Sequence, residues 1–143
     1  MYKPKFFTLE ELVPTYVFAQ RGEDAWLALD DRLLLCLDAL RYEFGPIIIN
    51  TWHRPSLWAK FGRRDQSGLR TAEFYDTATK FKRSLSQHKY GRAADMLFVE
   101  TEVEHARGTI LDQPDRFPFI HGVELNTSWL HIDCGNRSHI TTF

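Results

Sequence analysis

The sequence predicts an α+β fold: a small mixed, mainly antiparallel sheet with helices packed on one side. Apolar residues recur at helical spacing in the first third of the chain, and short β-branched or apolar runs follow in the rest. With 143 residues the chain is long enough for one hydrophobic core and too short for two domains. We therefore expect a single domain over residues 1–143, with an N-terminal helical part (1–44) and a motif-bearing core (45–135).

The N-terminal part contains two predicted helical segments. Thr8 stands three residues before Glu11 in a capping-box pattern, and Pro14 ends this first segment early. The longest helix is predicted over residues 24–44, and Gly45-Pro46 follows it as a stop. The apolar residues that recur at helical spacing in this segment are Trp26, Leu29, Leu33, Leu37 and Leu40.

The middle of the chain combines a strand with a long irregular segment. Residues 47–52 predict a buried strand because they begin with three isoleucines. Residues 54–87 mix aromatic, charged and glycine residues without a clean period, and we expect one helix there, at 72–85. Long irregular segments in compact domains are often functional. The aromatic residues of this segment could line a groove, although such residues more often belong to a core: Trp58, Phe61, Phe74 and Tyr75.

The C-terminal third is expected to complete the sheet. Residues 93–99 predict a strand and residues 101–111 a helix. Two closing strands are predicted at 120–125 and 128–134, with a turn at Asn126-Thr127 between them.

Composition argues against several classes of partner. The formal net charge is −1, so there is no electrostatic reason to expect binding to nucleic acid or to an anionic membrane. Cys36 and Cys134 are too few for a disulfide framework, and both are expected to be core thiols, which fits a reducing compartment. Residues 1–7 lack the apolar core of a signal peptide, so we expect synthesis in the cytoplasm without one.

The segment Ser86-Gln87-His88-Lys89-Tyr90-Gly91-Arg92-Ala93-Ala94-Asp95, together with Trp129-Leu130-His131, indicates a metal site. Two imidazoles and one carboxylate form the three-ligand set of a catalytic zinc site, which leaves its fourth position for water. Gly91 favours a turn, so His88 is expected before a loop and Asp95 on the strand that follows.

Each ligand candidate also has an ordinary structural interpretation. His88 alone would more often be a loop or surface histidine, and His131 alone a hydrogen-bonded core histidine. Asp95 is harder to explain without a partner, because a carboxylate at the edge of a buried strand carries a large desolvation cost. The combination of the three favours the metal site.

The pattern Ser86-x-His88-x-x-Gly91-x-Ala93-x-Asp95 followed by Trp129-x-His131-x-Asp133 resembles the zinc D-alanyl-D-alanine carboxypeptidase family. That family includes L-alanyl-D-glutamate endopeptidases of phages, and its relatives share the fold of the hedgehog signalling domain. The resemblance covers roughly residues 45–135 and implies that His88, Asp95 and His131 are the zinc ligands. The opening Phe-Thr-Leu-Glu-Glu-Leu-Val-Pro and the tail resemble small phage or prophage proteins.

The resemblance also implies residues that bind substrate. An arginine ahead of the first ligand binds substrate and stabilises the developing oxyanion in this family, and Arg54 stands where it is expected. Arg70 is the second candidate, and Ser86 and Trp129 are expected to contribute to substrate binding. A solvated loop arginine is the ordinary alternative for Arg54.

The general base is where the chain departs from the family. Several members place a glutamate three residues before the last histidine, and Ser128 occupies that position here. Glu124 is our candidate base, because residues on adjacent strands joined by a tight turn can be close neighbours. His121 is a rival base or proton donor. Asp133 is expected to be a second-shell acceptor for His131 or an extra ligand.

The resemblance implies a peptidoglycan-directed metallopeptidase with an endolysin-like role. Zinc-activated water would attack the scissile carbonyl of a stem peptide, and the cleaved bond would be D-Ala-D-Ala or L-Ala-D-Glu. The enzyme would reach the cell wall after lysis or as part of a virion. The alternative is a non-catalytic, zinc-stabilised binding or virion structural module of the same fold.

Overall fold

The computed structural model describes residues 1–143 and contains five α-helices, five short strands and six 3-10 segments. The helices are α1 (Thr15–Arg21), α2 (Asp31–Phe44), α3 (Trp58–Phe61), α4 (Ala78–Arg83) and α5 (Val103–Asp112). The strands are β1 (Ile47–Ile48), β2 (Ala93–Phe98), β3 (Gly122–Val123), β4 (Leu130–Asp133) and β5 (Thr141–Thr142).

The five strands form one mixed sheet in the order β1-β2-β4-β3-β5. All neighbouring strands pair antiparallel except β3 and β5, which are parallel. Asp95 lies directly opposite His131 in the β2–β4 ladder, and Ala93 lies opposite Asp133. The predicted α+β class with a mainly antiparallel mixed sheet is confirmed.

The two faces of the sheet have different chemistry because side chains alternate along each strand. One face is apolar and carries Ala94, Met96 and Phe98 of β2 with Leu130 and Ile132 of β4. Helix α2 packs against β2 on the core side, α5 packs against β4, and the side chains of both helices join the same core. The other face carries the polar residues opposite one another in the ladder, including Asp95 and His131.

The two cysteines lie in this core, as expected. Cys36 on α2 and Cys134 at the end of β4 are buried free thiols whose sulfur atoms are 3.9 Å apart. Burial and the neighbouring Cys36 raise the pKa of Cys134, so this thiol stays protonated.

The prediction of one helix over residues 24–44 was wrong over residues 24–30. Residues Gly22–Ala28 form a 3-10 segment, and Leu29 and Asp30 are extended before α2 begins. The Asp30 carboxylate accepts a hydrogen bond from the backbone N–H of Arg32 and so caps α2. The backbone N–H of Asp30 donates a hydrogen bond to the carbonyl of Gly91 at 2.9 Å and not to a carbonyl one turn earlier in a helix.

Helix α1 was not predicted from the sequence, and the predicted strands were too long. Pro14 does end the first segment, a capped 3-10 turn over Leu9–Glu11, but it also precedes α1. The strand predicted at 47–52 pairs only at Ile47–Ile48, because the backbone N–H groups of residues 50–52 donate to carbonyls of Glu11 and Arg64 instead.

The remaining helix and strands are also shorter than predicted. The helix expected at 72–85 is a 3-10 turn (Ala72–Phe74) followed by α4, which the Thr77 side chain caps. The closing strands are shorter than 120–125 and 128–134, and Asn126 in the turn between them has a positive φ of 60°. No helix is long and apolar enough to cross a membrane.

Candidate metal centre

Three side chains predicted to bind metal meet on the polar face of the sheet. Nε2 of His88 lies 3.2 Å from Nδ1 of His131 and 3.3 Å from Oδ1 of Asp95. The Asp95 oxygen is 2.7 Å from Nδ1 of His131, which closes a triangle of two nitrogens and one oxygen. All three residues are buried, and the cluster could hold a metal ion.

The local fold presents His88 to this triangle. His88 lies on a 3-10 turn (Gln87–Tyr90) that ends at Gly91, where φ is +64°. A Cβ at residue 91 would collide with the backbone carbonyl of Ala28, so only glycine fits this close approach. Nδ1 of His88 donates to the carbonyl of Gly68 at 2.8 Å. That hydrogen bond leaves Nε2 unprotonated and facing the cluster, which is the form a metal requires.

One arginine contacts Asp95, and a second is influenced by its charge. Nη2 of Arg70 donates to Oδ2 of Asp95 at 2.6 Å, while its Nε is held by the carbonyl of Gln66. Arg64 is half-buried and donates from Nε to the carbonyl of Ile49. Burial lowers the pKa of Arg64 and the negative charge of Asp95 opposes that effect, so the two groups are electrostatically coupled. The Arg70 contact occupies Oδ2 and leaves Oδ1 for the triangle.

Asp133 supports His131 from the other side. Its Oδ2 lies 3.6 Å from Nε2 of His131, and its Oδ1 accepts from the backbone N–H of Gly135 at 2.9 Å. Arg137 pairs with the same carboxylate. The arrangement is a carboxylate beside the outer nitrogen of a metal-facing histidine, which orients the ring and increases its basicity. Asp133 thus lies at ion-pair distance from His131, without a direct hydrogen bond to it.

The two histidines have opposite pKa shifts. Burial lowers the pKa of His88, and the nearby Asp95 only partly opposes this. Burial alone would also lower the pKa of His131, but hydrogen bonds and charge from Asp133 and Asp95 raise it to about 9. Burial would raise the pKa of Asp95, and hydrogen bonds from His131 and His88 hold it well below its usual range. In the metal-free protein the cluster is thus a histidinium held between two carboxylates.

The dimensions of the triangle suit a small divalent cation. A tetrahedral ion with bonds of about 2.0–2.1 Å needs donor atoms separated by about 3.3–3.4 Å. Two of the three separations, 3.2 and 3.3 Å, lie close to that value, and the third, 2.7 Å between Asp95 and His131, is the length of a hydrogen bond and would have to open. Two nitrogen donors with one oxygen donor match the preferences of zinc and related transition metals.

A cavity of about 300 Å³ opens beside the cluster at His131. The residues that line it are Leu85, Ser86, Gln87, His131, Asp133, Arg137 and Phe143. The Phe143 ring packs edge-on against the His131 ring, with centroids 5.6 Å apart. Ser86, predicted to bind substrate, is thus at the cavity. A larger cavity of about 600 Å³ lies elsewhere and contains none of the three ligands.

Glu124 stands directly across the sheet from His131. The β3–β4 register places Val123 opposite Ile132, and the N–H of Glu124 donates to the carbonyl of His131 at 3.4 Å. Opposite residues of an antiparallel pair project from the same face, with Cβ atoms about 4.5–5.5 Å apart. Continued by one residue beyond β3, this register puts Glu124 on the face that carries the cluster, but Glu124 does not line the cavity at His131. Ser128 is exposed and lies outside the cavity.

Three other predicted site residues lie away from the cavity at His131. Arg54 is exposed and lines a separate cavity with Glu11, Arg41 and Lys60, so the geometry does not support the role predicted for it. His121 lines the 600 Å³ cavity, and its Nδ1 is 2.6 Å from the carbonyl of Gly135.

Trp129 is also absent from the cavity wall. Its indole Nε1 is buried without a partner, and its carbonyl accepts from Nη2 of Arg107 at 2.8 Å. The predicted aromatic groove is not formed at the cluster. Phe74, Tyr75 and Phe81 pack against one another, and Arg70 stacks over Phe74 at 4.5 Å.

Sequence reasoning missed Arg137, Gln87 and Phe143 as cavity residues. Arg137 follows the last ligand strand by a short turn, and its distance of four residues from Asp133 was the only available signal. Comparison with protein families, with curated proteins and with solved structures gave no match for this chain.

Proposed function

We propose that this chain is a zinc-dependent peptidase that hydrolyses peptidoglycan stem peptides, of the D-Ala-D-Ala carboxypeptidase or L-Ala-D-Glu endopeptidase type. The observation that carries the proposal is the buried triangle of His88, Asp95 and His131 beside a cavity. The order and spacing of these residues in the chain match the motif of that peptidase family. Zinc, when bound, lowers the pKa of a coordinated water to about 7 and polarises a carbonyl.

The residues around the triangle fix the orientation of the three candidate ligands. The Gly68 carbonyl fixes the tautomer of His88, Arg70 turns Oδ1 of Asp95 inward, and Oδ2 of Asp133 lies at ion-pair distance from Nε2 of His131. These contacts leave a lone pair available on His88 and on Asp95, whereas Nδ1 of His131 must lose its proton before it can bind a metal. Partners of this kind typically contribute a factor of 10–100 in metal affinity or activity.

Glu124 is the candidate general base. A carboxylate on the same sheet face as His131 can accept the proton of the attacking water and return it to the leaving amine. Its position opposite His131 supports this role in place of the glutamate that Ser128 replaces. Arg70 and Arg64, beside Asp95, replace Arg54 as candidates for stabilising negative charge near the metal.

The first experiment tests hydrolysis and the base together. Zinc-loaded protein is incubated with purified peptidoglycan of several wall types, and new amine termini and fragment masses are measured. Glu124→Gln is expected to lower the rate by about 10²–10⁴-fold with one zinc still bound. Glu102→Gln, an exposed glutamate next to α5, is the matched control and should leave the rate unchanged.

The results of this experiment distinguish a wrong assignment of the base from the absence of peptidase activity. If Glu124→Gln retains full activity, another group is the base. If zinc-loaded wild-type protein cleaves no wall type, the peptidase proposal is wrong.

A non-catalytic, metal-stabilised module for binding or for a virion is the second candidate. Two observations favour it: Ser128 occupies the usual position of the catalytic glutamate, and Arg54 lies in a different cavity from the cluster. Such a module would bind zinc and gain stability from it, would retain affinity for cell-wall fragments or a virion protein, and would show no turnover.

A further inference from the structure

The positively charged guanidinium of Arg137 lines the cavity beside the candidate metal centre and makes no hydrogen bond to any of the three candidate ligands. Arg137 lines this cavity with His131 and Asp133, and its side chain is about one-third exposed. Nε of Arg137 donates to the carbonyl of His121 at 3.1 Å, and Nη2 donates to Oδ1 of Asp133. A guanidinium has five N–H donors, so these two bonds leave three available. The head group is therefore fixed in place and still able to bind a ligand.

The sheet is built to make room for this guanidinium. Gly122 lies opposite Asp133 in the β3–β4 ladder. A Cβ at residue 122 would collide with both the Asp133 carboxylate and Nη2 of Arg137. The missing side chain on β3 thus creates the space in which the pair sits.

The free donors of Arg137 select for a planar anion. Arginine binds carboxylates through two parallel N–H···O bonds, which gives both strength and a defined orientation. Asp133 holds one edge of the guanidinium, and Oδ2 of the same carboxylate is 3.6 Å from Nε2 of His131. A ligand carboxylate bound to the remaining donors would therefore be separated from His131, a candidate metal ligand, only by the Arg137–Asp133 pair.

We propose that Arg137 binds a free α-carboxylate on the residue that follows the scissile bond. The inference rests on the proposed peptidase function and identifies which bonds that site would accept. The α-carboxylate of that residue is joined to the scissile carbonyl only through its own amide nitrogen and Cα. With the scissile carbonyl at the cluster, this carboxylate would fall within one residue of it, and the cavity that His131 shares with Arg137 is a place for it at that reach.

Two kinds of stem-peptide residue offer this group. One is a C-terminal residue, as in a peptide that ends in D-Ala-D-Ala. The other is a D-glutamate joined to the next residue through its side-chain carboxyl, which leaves its α-carboxyl free. An ordinary internal peptide bond offers neither, so the enzyme would not cleave unmodified protein chains internally.

Calorimetric binding of paired probes tests the proposal on both zinc-loaded and metal-free protein. One pair is acetyl-D-Ala-D-Ala and its C-terminal amide; the other is acetyl-L-Ala-D-Glu with its side-chain carboxyl amidated and its α-carboxyl either free or amidated. The free acid of at least one pair should bind roughly ten- to a hundredfold more tightly than its amide. The pair that shows the difference identifies the source of the carboxylate.

Arg137→Gln should abolish the preference for the free acid, and Arg21→Gln, at the exposed end of α1, should preserve it. Arg137→Lys keeps the charge without the planar fork, so it should reduce the preference at least threefold. This lysine variant decides the matter if circular dichroism shows that the glutamine variant does not fold.

Equal binding of acid and amide by wild-type protein would overturn the proposal, as would a preference that survives loss of Arg137. Failure of the proposed function gives a different result. Arg137-dependent binding of the acid without cleavage supports the carboxylate site and rejects the peptidase. Cleavage without any preference for the acid supports the peptidase and rejects the role of Arg137.

Discussion

His88 and His131 belong to the same cluster but differ in protonation in the metal-free protein. Burial lowers the pKa of His88, and its Nδ1 hydrogen bond to Gly68 directs the lone pair of Nε2 inward. His131 lies between Asp95 and Asp133, which raise its pKa to about 9 against the effect of burial. A metal ion therefore meets one histidine that is ready to bind and one that must first lose a proton.

Metal binding is accordingly expected to depend on pH. Below about pH 9, zinc must displace a proton from Nδ1 of His131, so about one proton should be released per ion at pH 7. The dissociation constant should fall about tenfold per pH unit from pH 7 and level off above about pH 9. Calorimetry in buffers of different ionisation enthalpy measures the proton count. Affinity that does not change between pH 7 and 9 would contradict this.

Arg70 is expected to act on the metal through Asp95. Its Nη2 occupies Oδ2 of Asp95 at 2.6 Å, so removing it frees the carboxylate to rotate. Arg70→Gln should weaken zinc binding by about 10–100-fold, measured by competition with a chromophoric chelator. Arg83→Gln, an exposed arginine at the end of α4, is the matched control. Unchanged affinity in Arg70→Gln would show that Asp95 needs no such support.

At the scale of elements, the turn after His88 is the most constrained. Gly91 has a φ of +64° and packs against the backbone of Ala28, and its carbonyl binds the N–H of Asp30. The same contact explains the break before α2, because Asp30 must be extended to reach Gly91. The loop that holds a metal ligand and the start of the longest helix therefore depend on each other.

Replacing Gly91 by alanine should destabilise the protein. The left-handed conformation alone costs an L-residue about 1–2 kcal/mol, and the collision with Ala28 adds to it. We expect a loss of more than about 2 kcal/mol in the free energy of unfolding, measured by urea denaturation.

Gly108→Ala is the control for this substitution. Gly108 lies within α5 with no atom near its missing Cβ, so alanine should stabilise the protein by about 0.5–1 kcal/mol. A tolerated alanine at position 91 would mean that the turn can relax away from Ala28.

At the scale of the whole molecule, a bound ion would tie distant parts of the chain together. His88 comes from a 3-10 turn, Asp95 from β2 and His131 from β4, and the nearest pair in sequence is separated by seven residues. A ligand that binds only the native state stabilises it by about 2.7 kcal/mol at a concentration of 100 times its Kd.

Zinc at that concentration should therefore raise the Tm by roughly 10 °C, measured by calorimetry with and without chelator. The effect should grow with pH. The raised pKa of His131 stabilises the metal-free protein fully below about pH 6.5, and this stabilisation is lost as pH rises through about 9. Asp95→Asn should greatly reduce the zinc-induced shift. A zinc-induced shift that Asp95→Asn leaves intact would place the ion elsewhere.

The class of fold and the three residues of the candidate metal cluster were predictable from the sequence. Both follow from local signals: β-branched runs, helical spacing, and the types of residue in the motif around His88 and Asp95. The boundaries were less predictable, because Asp30 leaves the helical conformation only to satisfy a long-range contact with Gly91.

Only the tertiary structure decided which other residues surround the cluster. Arg54 was expected from the family resemblance, yet it is Arg70 that contacts Asp95 and Arg137 that lies at the cavity. Sequence order does not encode which loop folds over which strand. The register of the strands decides part of this arrangement. Pairing Gly122 with Asp133 creates the space for Arg137, and the same register brings the backbone of Glu124 opposite that of His131. The ligands were thus readable from local sequence, whereas the surrounding site depends on how the strands pair.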